Sequence, residues 1–276
     1  MKRNAFKNGE NFKEFYESVG AFYPEEDLVY NSLRGQIRRK FIIRHLSNLA
    51  GKLLDLGCNR GGYILEYKNG PALGIDISLP VLKIAKKRTK ANIVQGDGQN
   101  LAFLVSGCID SVLCSEVIEH VPGAGKLLSE CFRVLRLGGQ LLLTTPNYKN
   151  TKPIWVKIDE MAEYGVEGVR ENYYYHTAFR PEELYKMAEN AGFKFIETGT
   201  FEKEVKYATR IPVVLFYSIS FLNKVLFKNK WIDKQNKKIL DKLSLIIYKT
   251  CCFLGLNKIL IKFVKEGVRS YLIAKK

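Results

Sequence analysis

The sequence is short of the residues that staple or clip small folds. Its six Cys are scattered at Cys58, Cys108, Cys114, Cys131, Cys251 and Cys252, and none forms a C-x-x-C pair. That spacing excludes a zinc site built on Cys pairs, and reduced thiols in a cytosolic protein are expected. Only three His are present, so any imidazole chemistry rests on His45, His120 or His176. The first residues, MKRNAFKNGENFKEFY, hold no apolar core, so no secretory leader is expected. No uninterrupted apolar run reaches the ~18 to 20 residues of a membrane span. No internal repeat and no low-complexity linker interrupts the chain. Acidic residues are also scarce: 28 Asp and Glu face 44 Lys and Arg, a net charge of +16. Such a balance calls for an anionic partner, whether nucleic acid, a membrane surface or an acidic substrate. The surplus is local. Phe201 to Lys276 carries 17 Lys and Arg against 5 Asp and Glu, which is +12 of the +16.

What is present is enough apolar material for a core, 46% over 276 residues. One large domain, or one domain with a sizeable insertion, is expected. The chain is organised around Leu53 to Gly62, LLDLGCNRGG. Leu53, Leu54 and Leu56 read as the end of a buried strand, interrupted by Asp55. Gly57 and Gly61 let the backbone approach a ligand without a Cβ in the way. A nucleotide-sized ligand fits where such a strand opens into a helix, at the carboxyl edge of a parallel sheet. Asn59 stands between the glycines, and Asn is the residue other than Gly that best tolerates positive φ.

Further elements follow in regular alternation. Helical spacing of Leu33, Ile37, Phe41, Ile42, Leu46 and Leu49 predicts a helix over about 25–49, with Arg34, Arg38 and Arg39 on its other faces. A short helix over Tyr63 to Lys68 stops at Asn69-Gly70-Pro71. Ala72 to Ile75 is a second buried strand ending at Asp76, 19 residues beyond Gly57. An acid at that distance is placed to accept both ribose hydroxyls. Ser78 before Pro80 is read as the cap of the next helix, about 80–90. Ile93 to Gln95 is a third strand, followed by the turn Gly96-Asp97-Gly98. Ile109 to Cys114 is a fourth. A helix over about 124–136 is closed by Gly138-Gly139, and Gln140 to Thr145 is a fifth strand. Residues 148–178 show no clear period and hold Tyr164, Tyr173, Tyr174, Tyr175 and His176, as a substrate-side loop would. A helix from Pro181 to Gly192 precedes a strand over Phe193 to Thr198. The last strand is expected at Val268 to Ala274.

These motifs resemble the class I S-adenosylmethionine (SAM) methyltransferases. LLDLGCNRGG matches their first motif at Asp55, Gly57 and Gly61, with Asn59 in the middle glycine's place. DSVLCSEVIEHV and ECFRVLRLGGQLLLTTPN are similar to the segment between strands 4 and 5 of small-molecule enzymes such as the ubiquinone-biosynthesis O-methyltransferases. The resemblance implies an α/β, Rossmann-like seven-stranded sheet of order 3-2-1-4-5-7-6, strand 7 antiparallel, with helices on both faces. Residues 1–50 would form an N-terminal helical cap, 51–199 the SAM-binding core, 200–266 a basic helical insertion between strands 6 and 7, and 267–276 the final core strand. It implies that Asp55, Gly57, Asn59, Gly61, Asp76, Ile77, Asp97, Gly98, Ser115 and Glu116 contact SAM, with Asp97 on the adenine amino group. One of the three Arg would reach the SAM carboxylate.

Glu116, Glu119 and His120 are spaced i, i+3, i+4, which on a helix places them on one side of one turn. With His176 they would make a mixed oxygen and nitrogen site for Mg²⁺ or Mn²⁺. The turn resembles the metal site of small-RNA 2′-O-methyltransferases and of some ubiquinone-pathway enzymes. The other reading has Glu116 on the cofactor, Glu119 as a helix cap and no metal. His120 and His176 are the candidate catalytic residues, as a base for an acceptor hydroxyl. His45 reads as a structural residue of its helix. In 200–266, Lys alternates with apolar residues such as Leu256, Ile259, Leu260 and Phe263 at helical spacing. Such segments suit a membrane interface, or a cap whose helices pack on one another. Because strand 6 ends and strand 7 begins at the carboxyl edge, the insertion is expected beside the substrate mouth. The expected acceptor is a hydroxyl of an apolar or lipid-linked small molecule, met by a cytoplasmic enzyme peripheral to the membrane. The alternatives are an RNA 2′-O-methyltransferase and a non-catalytic SAM-binding protein. Long aliphatic runs in the basic region disfavour nucleic acid, which wants exposed aromatics for stacking.

Overall fold

The structure, a computed structural model, describes residues 9–169 and 172–276. The N-terminal helix α1 (Gly9–Phe22) is followed by a π turn (Glu26–Tyr30) and by α2 (Leu33–Leu46). One helix was expected over about 25–49. It breaks because the Ser32 hydroxyl accepts from the Gly35 N–H at 3.1 Å and donates to the Val29 carbonyl at 2.6 Å. A hydroxyl bonded to both sides gives the backbone an alternative to the helical ladder.

Seven strands form the main sheet: β1 (Leu53–Leu56), β2 (Ala72–Asp76), β3 (Asn92–Gln95), β4 (Ile109–Ser115), β5 (Leu135–Pro146), β8 (Lys194–Phe201) and β9 (Arg269–Lys275). Their order is β3-β2-β1-β4-β5-β9-β8, which is the expected order with the last two strands renumbered. β1 pairs in parallel with β2 and β4, β2 with β3, and β4 with β5. β9 enters antiparallel: the Gly138 N–H donates to the Lys276 carbonyl and the Lys276 N–H to that of Gly139. Parallel strands need covered faces, and these are apolar on both. Leu54, Leu56, Val112, Cys114, Leu141 and Leu143 point to one side and join one core, while Leu53, Leu113 and Leu142 are buried on the other.

The linking helices are α3 (Gly62–Glu66), α4 (Leu79–Arg88), α5 (Ala124–Val134), α6 (Asp159–Ala162) and α7 (Pro181–Asn190). α5 turns Leu127, Leu128, Cys131 and Val134 to the core, one helical stripe. Two expectations need correction. Gly138-Gly139 does not close α5, which ends at Val134 with β5 starting at once. Instead the register jumps from Ile109↔Leu135 to Ser111↔Gln140. The extra residues bulge, and Gly138 supplies the positive φ of 75° they need. Residues 148–178 also hold order not foreseen: β6 (Trp155–Lys157) pairs antiparallel with β7 (Tyr173–Tyr175).

The chain divides into two compact units. The sheet unit contains the chain up to Tyr23, Ile43–Gly199 and Ser270–Lys276; the helical unit contains Pro24–Ile42 and Thr200–Arg269. The helical unit holds α8 (Lys203–Ala208), α9 (Arg210–Leu222), a π turn (Asn223–Phe227), α10 (Lys230–Phe253) and α11 (Asn257–Leu260). It has its own small core of Leu33, Ile37, Val205, Ala208 and Tyr248. Phe41 stacks on Phe201 at 4.0 Å between centroids. Arg38, one of the three Arg read from sequence as candidates for the SAM carboxylate, is buried here, 3.5 Å from the buried carboxylate of Glu202. Among the described residues one helix, Arg210–Phe227, is long and apolar enough to cross a membrane by length and composition. No such stretch was expected, because Asn223 and Lys224 interrupt the apolar run. The segment passes because only Arg210 and Lys224 in it are charged.

Candidate functional site

The site lies in the sheet unit, at the carboxyl ends of β1, β2, β3 and β4. The turn after β1 places Gly57, Asn59 and Gly61 at φ of 76°, 48° and 75°. Asn59 thus takes the left-handed backbone that its place in the motif required. A Cβ on Gly57 would lie 2.2 Å from Val117 Cγ2, so glycine is needed for space as well as for φ. The Gly57 and Cys58 N–H groups both donate to the Ile75 carbonyl, at 2.7 and 2.9 Å. Asp76, at the end of β2, accepts from the Asn59 N–H and from the Ser78 N–H, each at 2.9 Å. Its carboxylate therefore ties the turn to the strand. Ser78 begins α4 by position, but its side chain makes no cap hydrogen bond.

Asp55 is buried under this turn, 1% exposed, and its Oδ2 has no hydrogen-bond partner. Burial, and then the neighbouring Asp76, push its carboxyl up to about 7. Burial also raises Asp76, against the pull of the Ser78, Asn59 and Ile77 N–H groups. After β3, Asp97 accepts from the Gln99 N–H at 2.9 Å, and the Gln99 side chain accepts from the Gly123 N–H at 2.9 Å. A Cβ on Gly98 would press on Leu56 and Leu127. The Ile77 carbonyl accepts from the Gln95 amide at 2.9 Å.

At the end of β4, Ser115, Thr144 and Glu116 form a chain. Thr144 Oγ1 donates to Glu116 Oε1 at 3.1 Å, so the 3.0 Å contact of Ser115 with Thr144 has Ser115 donating. Beyond it lies a second cluster. Glu119, His120 and His176 offer ligand atoms that all lie within 4.8 Å of one another. Glu119 is 1% exposed and accepts from Thr145 Oγ1 at 3.0 Å. The two imidazoles meet edge to face at 4.9 Å, with Tyr16 of α1 at 5.6 Å from His120. Tyr174 of β7 lies 5.8 Å from His176 and stacks on Phe15 at 5.2 Å. Burial pushes its phenol up to about 12, so it stays a neutral O–H. One carboxylate and two imidazoles are a donor set for a divalent ion with open positions, closer in character to Mn²⁺ than to Mg²⁺.

Residues 54–143 match a family described as "Methyltransferase domain". The ubiquinone biosynthesis O-methyltransferase of Chromobacterium violaceum is 32% identical over 165 residues, which cover 56% of this chain and 70% of that protein. The enzyme of the same name from Acinetobacter baylyi is 31% identical, over 65% of this chain and 79% of that one. The chain is a class I SAM-dependent methyltransferase. Its cofactor is SAM. A solved Haemonchus contortus phosphoethanolamine N-methyltransferase 2, bound to S-adenosylhomocysteine, superposes with a TM-score of 0.55 at 18% identity, over 96% of this chain and 60% of that one. That likeness is one of fold.

The family match starts in β1 and ends in β5, so in this methyltransferase it takes in the turn, Asp76, Asp97, Glu119 and His120. It stops before His176 and the whole of 200–266. The expected metal set is brought together only in part. Glu116 does not join the cluster: the helical turn assumed for the E-x-x-E-H run is only a 3-10 turn, Ile118–His120. Glu116 precedes it at the strand end with φ 56°, and its carboxylate turns to Thr144. His45 lies in α2, outside this cluster. Thr144, Thr145 and Tyr16 were not foreseen. The signal for the threonines was there, as two hydroxyls closing the apolar run Leu141–Leu143.

Proposed function

We propose that this methyltransferase moves the SAM methyl group to a hydroxyl of an apolar or lipid-linked small molecule. The observation that carries the reading is the cluster of buried Glu119 with half-buried His120 and His176, beside the residues proposed for SAM. The relatives named ubiquinone biosynthesis O-methyltransferase support the same class of acceptor. In this reading Gly57, Asn59 and Gly61 give the cofactor an open stretch of backbone above Asp55. Asp76 takes the ribose hydroxyls with the lone pairs its N–H partners leave over. Asp97 and Gly98 hold the adenine, beside Ile77, and Ser115 and Glu116 hold the amino acid end.

The acceptor oxygen attacks the methyl carbon in line while the carbon–sulfur bond breaks, leaving S-adenosylhomocysteine. The hydroxyl proton passes to an imidazole, His120 or His176. Glu119, held by Thr145, lies beside the imidazole that takes the proton and orients it. Tyr174 and Tyr16 pack against the imidazoles and limit water. A divalent cation bound by Glu119, His120 and His176 would lower the hydroxyl's pKa and hold it in line. An anionic membrane surface met through residues 200–266 is the proposed partner, and a cytoplasmic, membrane-peripheral enzyme the proposed setting.

The second reading is an RNA 2′-O-methyltransferase, favoured by the same acid and imidazole cluster together with the net charge. The test is incubation with methyl-labelled SAM, a lipid extract and an RNA pool. Label in the organic phase supports the proposal; label only in RNA overturns it. SAM binding with no transfer to either pool would favour the non-catalytic alternative.

A further inference from the structure

Helix α9 and the π turn that extends it are apolar on the outside. Ile211, Val214, Leu215, Phe221 and Val225 follow one helical stripe and are between 47% and 68% exposed. Only 11% of Arg210–Phe227 is buried. The polar groups lie on the inside, against α10. Asn236, nearly fully buried, donates to the Phe216 carbonyl at 2.8 Å and to Ser220 Oγ at 3.1 Å. Asn223, equally buried, donates to the Asn229 carbonyl and to Asp233 Oδ1 at 2.9 Å each, and accepts from the Asn229 N–H at 3.1 Å. These amides lock α9 to α10, so the hairpin cannot roll its apolar face inward without breaking them. An exposed apolar face of this length is not what water selects.

Charge identifies what covers it. No Asp or Glu occurs from Arg210 to Trp231, while Arg210, Lys224, Lys228 and Lys230 do. The three Lys are exposed. Aliphatic residues dominate the stripe, which suits acyl chains rather than stacked bases. A transmembrane placement of α9 is excluded by its partner. The first half of α10, KWIDKQNKKILDK, would carry five Lys and two Asp into hydrocarbon. Trp231, 65% exposed at the hairpin tip beside Phe227, is the residue type that anchors at the headgroup level.

We propose that the hairpin docks on an anionic lipid surface with α9 and its π turn lying flat at the headgroup boundary, Phe227 and Trp231 entering first. This rests on the reading of 200–266 as the membrane-facing part. It predicts binding of the full-length protein to sedimentable phosphatidylcholine vesicles only when they contain phosphatidylglycerol. Salt should weaken that binding. Trp231 emission should shift to the blue and be quenched by brominated acyl chains, a response absent in Trp231→Phe. The triple variant Val214→Gln, Phe221→Gln, Val225→Gln should bind at least about tenfold more weakly with SAM affinity unchanged.

Four results would overturn the docking mode. One is no vesicle binding by protein that binds SAM and is folded by circular dichroism. Another is retention after an alkaline carbonate wash, which marks a span. The third is a dimer in light scattering that the triple variant splits, which marks a second copy as the cover. The last is binding to single-stranded RNA that the triple variant abolishes. Vesicle binding without SAM binding would count against the cofactor assignment and leave the docking face standing.

Discussion

Asp55 is the residue whose environment makes the sharpest demand. It is buried with one oxygen lacking a hydrogen-bond partner, and its folded carboxyl titrates near 7 against an ordinary 3.8. The sign follows from linkage. Between those two values the folded chain holds a proton that the unfolded chain has released, so stability falls as pH rises through that window. The protein carries no penalty from Asp55 below the ordinary value and the full penalty above about 7. The gap sets an upper limit of about 4 kcal/mol. Asp55→Asn removes the ionisation and keeps the shape. The variant should match the native protein at pH 4 and exceed it at pH 8, by an amount approaching that limit. Other groups shift the whole profile: the Lys52 N–H and then the Arg136 bond hold Asp110 low, and Arg133 holds Glu130 low. The difference between variant and native protein removes them. Urea unfolding of the SAM-free protein at several pH values measures it. A difference that stays flat from pH 4 to 8 would refute the reasoning. SAM adds a second reading, because its positive charges would lower the Asp55 pKa. Binding near pH 7 should then release a proton, seen as a buffer-dependent heat in calorimetry.

The remaining predictions are narrower. Asp76→Ala removes the acceptor of the Asn59 and Ser78 N–H groups, and should weaken SAM binding by roughly 1 to 3 kcal/mol; unchanged affinity by calorimetry would sink the ribose assignment. His120→Ala and His176→Ala should each lower kcat by about 10²- to 10⁴-fold with SAM affinity kept. Exhaustive dialysis against a chelator should abolish activity and Mn²⁺ restore it; full activity after chelation would leave His120 as a metal-free base. Arg38→Met removes the guanidinium 3.5 Å from the buried Glu202 carboxylate, whose charge also acts on Arg34, and should destabilise the fold in thermal unfolding by at most about 3 to 5 kcal/mol; an unchanged unfolding temperature would refute a stabilising role for the pair.

How much of this was legible depended on how local the cause was. The strands could be read because each apolar run and each turn's glycines are determined within a few residues, while their order came from the resemblance to the methyltransferases. Asn59 was readable for the same reason: one side chain, one φ, one substitution of glycine. The E-x-x-E-H run failed at Glu116 because spacing fixes a shared face only if the segment is helical throughout. Here the strand reaches Ser115, Glu116 adopts a left-handed backbone, and only three residues wind into a turn. What draws the Glu116 carboxylate away is Thr144, 28 positions on in sequence and beside it only because β4 pairs with β5. The β6–β7 ribbon escaped for a related reason, since its strands are three residues each, too short to show a period of two.

The helical unit shows the opposite limit. Its helices were legible from the alternation of Lys with apolar residues, but periodicity names the faces of a helix without saying which one is covered. Burial of Asn223 and Asn236 decides that for α9. An ordinary hairpin buries its apolar stripe and leaves its amides to water. This one satisfies two amides internally and leaves Ile211, Val214, Phe221 and Val225 outside, so its exposed stripe gains nothing from folding in water alone. The free energy that such a stripe can return lies in a second apolar phase. In the proposed docking, the cause of this stripe lies outside the chain itself, in the lipid surface its outer face would meet.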